Sequence, residues 1–339
     1  MTESVLDISI IIPVYNQTAE LDRCLDSLKQ SELKSDFEII IVDDCSPEEG
    51  ASIEKLAGEY NVRFYRLAQN AGPGVARNRG AHEARGQILV FIDSDCVAPA
   101  GWLSKLIQPI RDGKSFAATG CYCGPVTQGW ITTFQDEDYR YRMPSEERET
   151  SFVNSCNFAI DKGVFSDCGG FPEQRISEDM VFGMLLSERG TPARYIPSAG
   201  VKHNYYRTLY SYLKQRYSFA FNTVRSFLDR SKLRSKEAKS NEQSFNPLRT
   251  ALGMLFAGIA VVSLIGAVIS GLLNSGYTAA FLIGGFVSLI LQTSVHGRFL
   301  LFLIKRQGLT IAISYILLLY LIDLAYVYAV LRALTKFGA

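Results

Sequence analysis

The chain has 339 residues, room for one large domain and a smaller second part, and 35 Lys and Arg against 34 Asp and Glu leave a net charge of +1. That balance gives no sign of the basic surface on which nucleic-acid binding depends, so no nucleic-acid partner is expected. The charge is uneven: residues 1 to about 247 carry nearly all of it, while 250–334 are dominated by Leu, Ile, Ala, Val, Phe, Tyr and Gly.

Met1 to Ser9 holds Glu3 and Asp7 and no basic residue, unlike a secretory leader, so the N-terminal part is expected in the cytosol. The seven cysteines are irregularly spaced and read as reduced small hydrophobes. Cys121 and Cys123 lack the second pair or His cluster that a zinc site requires.

Ile8 to Val14 predicts a buried strand closed by Pro13 and leading into Tyr15-Asn16. Leu21, Cys24, Leu25 and Leu28 recur at helical spacing within a helix expected over Glu20 to Leu33. Phe37 to Val42 predicts the next strand, ending in Asp43-Asp44-Cys45-Ser46-Pro47; a helix over Ile53 to Tyr60 and a strand over Val62 to Leu67 follow. Strands alternating with helices imply a mostly parallel sheet, and ligands bind such sheets beyond the strands' carboxyl ends. Asn70 to Gly80, with Gly72-Pro73-Gly74, predicts a tight turn with bare backbone amides and a helix starting near Val75. Arg77 then sits near a helix N-terminus, an arrangement suited to phosphate; a plain loop is the alternative.

Gly86 to Cys96 is the centre of the pattern. Five apolar residues, Ile88 to Ile92, read as a strand buried on both faces, and it runs into Asp93-Ser94-Asp95. In a strand the two acids project to one side, where their repulsion is relieved by a divalent ion such as Mg²⁺. A solvated loop carries two acids equally well.

Ile10-Ile11-Ile12-Pro13-Val14-Tyr15-Asn16, Val42-Asp43-Asp44-Cys45-Ser46, Asn70 to Gly80 and Asp93-Ser94-Asp95 stand in the order and spacing found at the start of glycosyltransferase family 2 domains, which the chain resembles. The resemblance implies an α/β GT-A fold, a mostly parallel sheet flanked by helices, with a nucleotide-sugar site. Pro13, Tyr15, Asn16, Asp43 and Asp44 would receive base and ribose, with Asn70 and Ser94 also on the donor side. Arg77 would lie near the diphosphate, and Asp93 with Asp95 would hold Mg²⁺ or Mn²⁺.

Phe152 to Ile160, with Asn157, then Gly169-Gly170-Phe171-Pro172 and Ser177-Glu178-Asp179, is similar to the family's acceptor-side pattern. It implies acceptor contacts at Asn157 and Gly170, Asp179 as base and Glu178 as a residue orienting the acceptor. Without the family, Glu178-Asp179 also reads as acids favouring a helix N-terminus before Met180, Met184 and Leu185. Where family members often carry an acid and, further on, an Arg, this chain has Val181 and Leu185. The charged, aromatic stretch Trp130 to Thr150 reads as a solvated helix and loop, or as a cover over the site or a bilayer contact. His203 follows an expected last strand; in this fold it is a metal or diphosphate contact, although a lone His is as readily structural.

Leu209 to Leu228 interleaves aromatic and basic residues, as an interfacial helix does. Its Gln215-Arg216-Tyr217 looks like a loose Q-x-x-R-W element, implying a weak acceptor-side role for Gln215 and Arg216. Arg225 to Lys239 carries six basic residues, a linker suited to an anionic bilayer surface. The apolar stretches Leu252 to Leu273, Tyr277 to Val295 and Leu309 to Leu331 approach or exceed the roughly 20 residues that cross a bilayer. The basic cluster before the first and Arg298, Lys305 and Arg306 after the second favour the cytosolic side, which puts the C-terminus on the far side, although Arg332 and Lys336 argue against that last point. Asp323 inside the third stretch is either functional or paired with a neighbouring helix.

The expected organisation is a GT-A domain over 1–228, a basic linker over 229–248 and an α-helical transmembrane region over 249–339. The expected protein is a multi-pass protein of the cell (inner) membrane whose cytosolic domain is an inverting, metal-dependent glycosyltransferase. Its partners would be a nucleotide-sugar donor, a lipid-linked or cell-envelope glycan acceptor and the bilayer. The alternatives are a polyprenyl-phosphate sugar transferase and a non-catalytic nucleotide-sugar-binding membrane protein.

Overall fold

The computed structural model describes residues 7–30, 37–173, 178–230 and 247–337. Ser177 and residues 231–246 of the expected basic linker lie outside them. The chain divides into two compact units, 7–128 with 143–205, and 129–142 with the described residues beyond 205.

The first unit is built on one sheet. Strands β1 (Ile8–Val14), β2 (Phe37–Asp43), β3 (Arg63–Arg66) and β4 (Ile88–Ile92) alternate with helices α1 (Thr18–Lys29), α2 (Gly50–Tyr60) and α3 (Pro73–Glu83). After them come β5 (Cys96–Val97), α4 (Trp102–Arg111) and β6 (Ala117–Pro125). Helix α5 (Trp130–Arg142) belongs to the second unit, and β7 (Arg148–Thr150), β8 (Asn157–Asp161), α6 (Lys162–Asp167), α7 (Glu178–Glu188) and β9 (Ala193–His203) complete the first. The sheet runs β3-β2-β1-β4-β8-β6-β9-β5, with β7 beside β9. β1 to β4 are parallel, as the strand–helix alternation predicts, and β8 is antiparallel to both β4 and β6.

The period of two decides which residue meets which layer. Ile8, Ile10 and Ile12 of β1 and Ile88, Val90 and Ile92 of β4 pack with Leu21 and Leu25 of α1, Ile53 of α2 and Leu103 of α4. Ile11, Leu89 and Phe91 face the other way, toward Ala76 of α3, Phe165 of α6, Phe171 and Phe182 of α7. Both faces are covered, which is why these strands read as continuous apolar runs.

The second unit gathers α5 with α8 (Leu209–Arg230), α9 (Pro247–Leu272), α10 (Thr278–Val295), α11 (Gly297–Gln307), α12 (Leu309–Ser314) and α13 (Ile316–Phe337). Leu248–Leu272, Thr278–Val295 and Leu309–Thr335 are long and apolar enough to cross a membrane, and large apolar side chains such as Val262, Leu264, Ile283 and Phe286 point outward. Asp323 is buried on α13 with Gln292 Nε2 at 2.7 Å and His296 Nε2 at 2.9 Å from the same oxygen, the interhelical pairing of the two alternatives above.

Helix α5 corrects the reading of 130–150 as a solvated face. Gln135, Asp136, Glu137 and Asp138 are all buried in the second unit, around Phe134, Tyr212, Phe299 and Tyr315. Buried acids need partners, and Arg140 meets Asp136, Arg142 and Arg216 meet Asp138, and Arg306 meets Glu137. Burial alone would raise the Asp138 pKa, but Arg142, Arg216 and Arg249 outweigh it and hold the carboxyl below its ordinary range.

Candidate active site

The site lies where strand order reverses. β1 pairs with β2 as far as Val14, but with β4 only as far as Ile11, so a crevice opens beyond the carboxyl ends of β1 and β4. Pro13 is tolerated there because the ladder to β4 has already ended. Tyr15 is 44% exposed at the crevice's edge. Asn16 adopts a left-handed backbone (φ 49°), its amide donates to Ser46 Oγ at 2.9 Å, and its own Oδ1 is buried without a hydrogen bond.

Several expected donor contacts turn out to hold the walls together. Asp43 is fully buried; its Oδ1 accepts from the Ser46 amide at 3.0 Å and from the Ser46 hydroxyl, and its Oδ2 lies 3.2 Å from Arg66. Asp44 takes the amides of Ala71 at 2.7 Å and Gly72 at 2.9 Å, and Asn70 Nδ2 donates to the Asp44 carbonyl at 3.3 Å. Two amides of the glycine-rich turn, those of Ala71 and Gly72, are thus occupied by a carboxylate from the end of β2. Ser94 is buried and donates to Gln17 Oε1 at 2.7 Å, tying the Asp-Ser-Asp turn to the loop after β1.

Arg77 is the largest departure. Its place in the first turns of α3 suggests a diphosphate contact, but only 3% of its side chain is exposed, and both terminal nitrogens are on carboxylates: Nη2 is 2.6 Å from Asp93 Oδ1 and Nη1 is 2.9 Å from Glu178 Oε1. Burial alone would favour the neutral form; Asp93 and Glu178 reverse this and keep the guanidinium charged. Glu178, expected to orient an acceptor, is therefore half of a buried bridge. Asp179, the next residue, has its pKa raised by burial, with Arg77 acting in the opposite direction. A carboxylate raised in this way is a better proton acceptor than an exposed one.

The close approach of α3 and α7 explains the glycines. A Cβ on Gly74 would lie 3.3 Å from Glu178 Cγ, and Gly170, at φ +75°, would put one 2.7 Å from Asn78 Oδ1. Asn78 uses that oxygen to accept from the Phe171 amide at 2.9 Å, and its Nδ2 donates to the Phe171 carbonyl at 2.7 Å. Gly170 shapes the turn that seats Phe171 against Asn78 of α3.

A second cluster holds the ligand-type groups. Asp95, Cys96 and His203 each offer an atom within 4.8 Å of the others, and His203 Nε2 is 3.8 Å from Asp95 Oδ2. β5 pairs Cys96 with His203 across the sheet, which is how the end of β9 reaches the Asp-Ser-Asp turn. Burial raises the Asp95 pKa, opposed by His203 and reinforced by Asp93. Contact with Cys156 and burial push the Cys96 thiol well above its usual pKa, and its Sγ donates weakly to Asp95 Oδ1 at 3.7 Å. An oxygen donor and an imidazole, with His203 Nδ1 buried and unpartnered, fit a divalent ion of the Mg²⁺/Mn²⁺ class.

The acceptor-side expectations fare differently. Asn157 is fully buried with its amide saturated: Oδ1 accepts from Trp102 Nε1 at 2.8 Å, and Nδ2 donates to the carbonyls of Cys121 at 2.9 Å and Ala199 at 2.8 Å. It pins β8 to its neighbours and has no donor left for a substrate. Gln215 and Arg216 belong to the second unit, where Arg216 bonds Asp138 and, through Nε at 2.8 Å, the Tyr212 hydroxyl. Sequence reasoning missed Gln17, the Cys96–Cys156 contact and Tyr122, whose ring lies 4.5 Å from that of His203. Only Cys96 carried a signal, as the residue directly after the second acid.

The glycosyl transferase family 2 model matches residues 9–169, the stretch containing the crevice and the Asp-Ser-Asp turn. Glycosyltransferase AglE of Haloferax volcanii is 26% identical over 202 residues, 58% of this chain and 64% of that protein. The dolichol-phosphate mannosyltransferase of Pyrococcus furiosus is 30% identical over 37% of this chain and 36% of its own length. The chain spans less than two thirds of the curated relatives first matched. Among solved structures, the mannosyltransferase PcManGT from Pyrobaculum calidifontis, in complex with GDP-Man and Mn²⁺, superposes with a TM-score of 0.56 at 16% identity, over 96% of this chain and 86% of that one. At that identity the likeness speaks for the fold alone, and the likeness to glycosyl transferase family 2 rests on residues 9–169, a little under half of the chain.

Proposed function

We propose that the chain is an inverting glycosyltransferase that moves a sugar from a nucleotide-sugar donor to a hydroxyl of a lipid-linked or cell-envelope glycan acceptor at the cytosolic face of a membrane. The observation that carries this reading is the Asp93–Arg77–Glu178 bridge, which holds the donor-side turn and the acid pair at the start of α7 in one rigid unit. Donor and acceptor chemistry need that fixed spacing.

Asp95 and His203, with Asp93 alongside, would hold a divalent ion that when bound supplies positive charge to the departing diphosphate. Arg77 fixes Asp93, and Gln17 fixes the turn between the two acids through Ser94. Asp179 takes the proton from the acceptor hydroxyl as it attacks the anomeric carbon from the face opposite the leaving group. Its burial keeps it basic enough to accept that proton, and Glu178, the residue before it, is held by Arg77. The apolar helices of the second unit support membrane attachment and an acceptor presented from the bilayer.

The 30% identity to a dolichol-phosphate mannosyltransferase favours one rival, transfer to a polyprenyl phosphate. A phosphate acceptor carries no proton that must be removed. Asp179→Asn separates the two: a loss in kcat of about 10²-fold or more supports a hydroxyl acceptor, and near-wild-type turnover supports a phosphate acceptor.

A further inference from the structure

We infer that Asn154 forms a hydroxyl subsite for the transferred sugar, an inference that rests on the donor reading above. Asn154 is only 7% exposed, in the stretch entering β8. Its main chain is fixed at both ends: the amide donates to Thr119 Oγ1 at 3.0 Å, and the carbonyl accepts from the Asn157 amide at 2.8 Å. The side-chain orientation is set by donors to Oδ1, Cys156 Sγ at 3.1 Å and the Tyr122 hydroxyl at 3.5 Å. That leaves Nδ2 buried with no hydrogen-bond partner.

A buried amide group without a partner costs about 1–3 kcal/mol, and such groups in folded proteins have a reason. Here the surroundings supply it. Tyr122, which donates to Asn154, lies with its ring 4.5 Å from that of His203, and His203 Nε2 is 3.8 Å from Asp95. Tyr205 closes the group edge-on, 5.9 Å from Tyr122 and 5.1 Å from His203. Asn154 thus belongs to the wall carrying the ligand-type groups, and next to a diphosphate held there comes the sugar attached to it. Two N–H donors held rigidly in a low-dielectric wall match a sugar hydroxyl or carbonyl oxygen. The neighbouring Asn157, saturated by protein groups, offers no such donor.

Calorimetry on the full chain in detergent with Mn²⁺ tests this with GDP-mannose, UDP-glucose, UDP-galactose and UDP-N-acetylglucosamine, and with GDP and UDP as partners lacking the sugar. For the nucleotide sugar that binds wild type, Asn154→Ala is expected to weaken affinity about tenfold or more and to leave the matching diphosphate unchanged. Asn154→Ser, which keeps a donor, is expected to recover part of the loss, and its melting temperature controls for folding. Equal losses for nucleotide sugar and diphosphate, or no loss for either, overturn the subsite. A wild-type chain that binds none of the four sugars overturns the donor reading and the subsite with it, whereas binding that ignores position 154 overturns the subsite alone.

Discussion

Asp93 and Glu178 hold the same guanidinium, that of Arg77, at 2.6 and 2.9 Å. One residue comes from the end of β4 and the other from the first turn of α7, so a single cation joins the two acidic stretches. Removing one member of a buried ion pair leaves its partners uncompensated. Arg77→Met is expected to destabilise the protein by about 3 kcal/mol, the low end for buried pairs because Asp93 is 31% exposed. A chemical denaturation series reads the loss, and a variant as stable as wild type contradicts the bridge.

Burial raises the Asp179 pKa, and in its proposed role as base the carboxyl must be ionised to work. As pH falls, kcat should therefore decline at a higher pH than for an exposed aspartate, and a pH–rate profile checks this. The sign for stability is opposite. A folded pKa above the unfolded one contributes stability that is present at low pH and lost as pH rises through the folded value. Asp179→Asn should then be more stable than wild type at neutral pH while losing turnover, and melting curves at pH 4 and pH 7 test that pairing.

The donor set of Asp95 and His203 predicts that His203→Ala weakens Mn²⁺ binding by at least about tenfold, since even indirect supporting partners of a metal ligand contribute that much. Cys96→Ala should bind Mn²⁺ as wild type does, because a soft sulfur donor contributes little to an ion that prefers oxygen ligands. Electron paramagnetic resonance of free against bound Mn²⁺ measures both, and the reverse ranking contradicts the assignment.

Gly170 combines φ +75° with a Cβ position 2.7 Å from Asn78 Oδ1. Gly170→Ala is expected to cost about 1–2 kcal/mol from the backbone alone, read from a denaturation series. An alanine variant as stable as wild type would mean that neither the left-handed turn nor the Asn78 contact demands glycine here.

Much of the scaffold could be read directly. Ile8 to Val14 and Ile88 to Ile92 are legible because strands covered on both faces leave unbroken apolar runs, and the acids after them are legible because they interrupt those runs. What could not be read are partnerships between distant segments. Nothing near Arg77 announces Glu178, and nothing near Gly72 announces that Asp44 will take its amide. Asn157 looks like a substrate contact until Trp102 and the carbonyls of Cys121 and Ala199 are found on its amide. The charges of α5 look solvated until Arg216 and Arg306 are found against them. Periodicity reports which face is covered, but not which residue covers it.

The central claim is that Asp95, with His203 and Asp93, holds an ion serving a nucleotide-sugar donor. Its most direct measurement is sugar transfer from a radiolabelled nucleotide sugar to membrane lipid extract by the full chain, with Mn²⁺ or with a chelator, for wild type and Asp95→Ala. The account predicts transfer by wild type with Mn²⁺ and its loss on chelation or substitution. Undiminished transfer by Asp95→Ala in the presence of the chelator would contradict it.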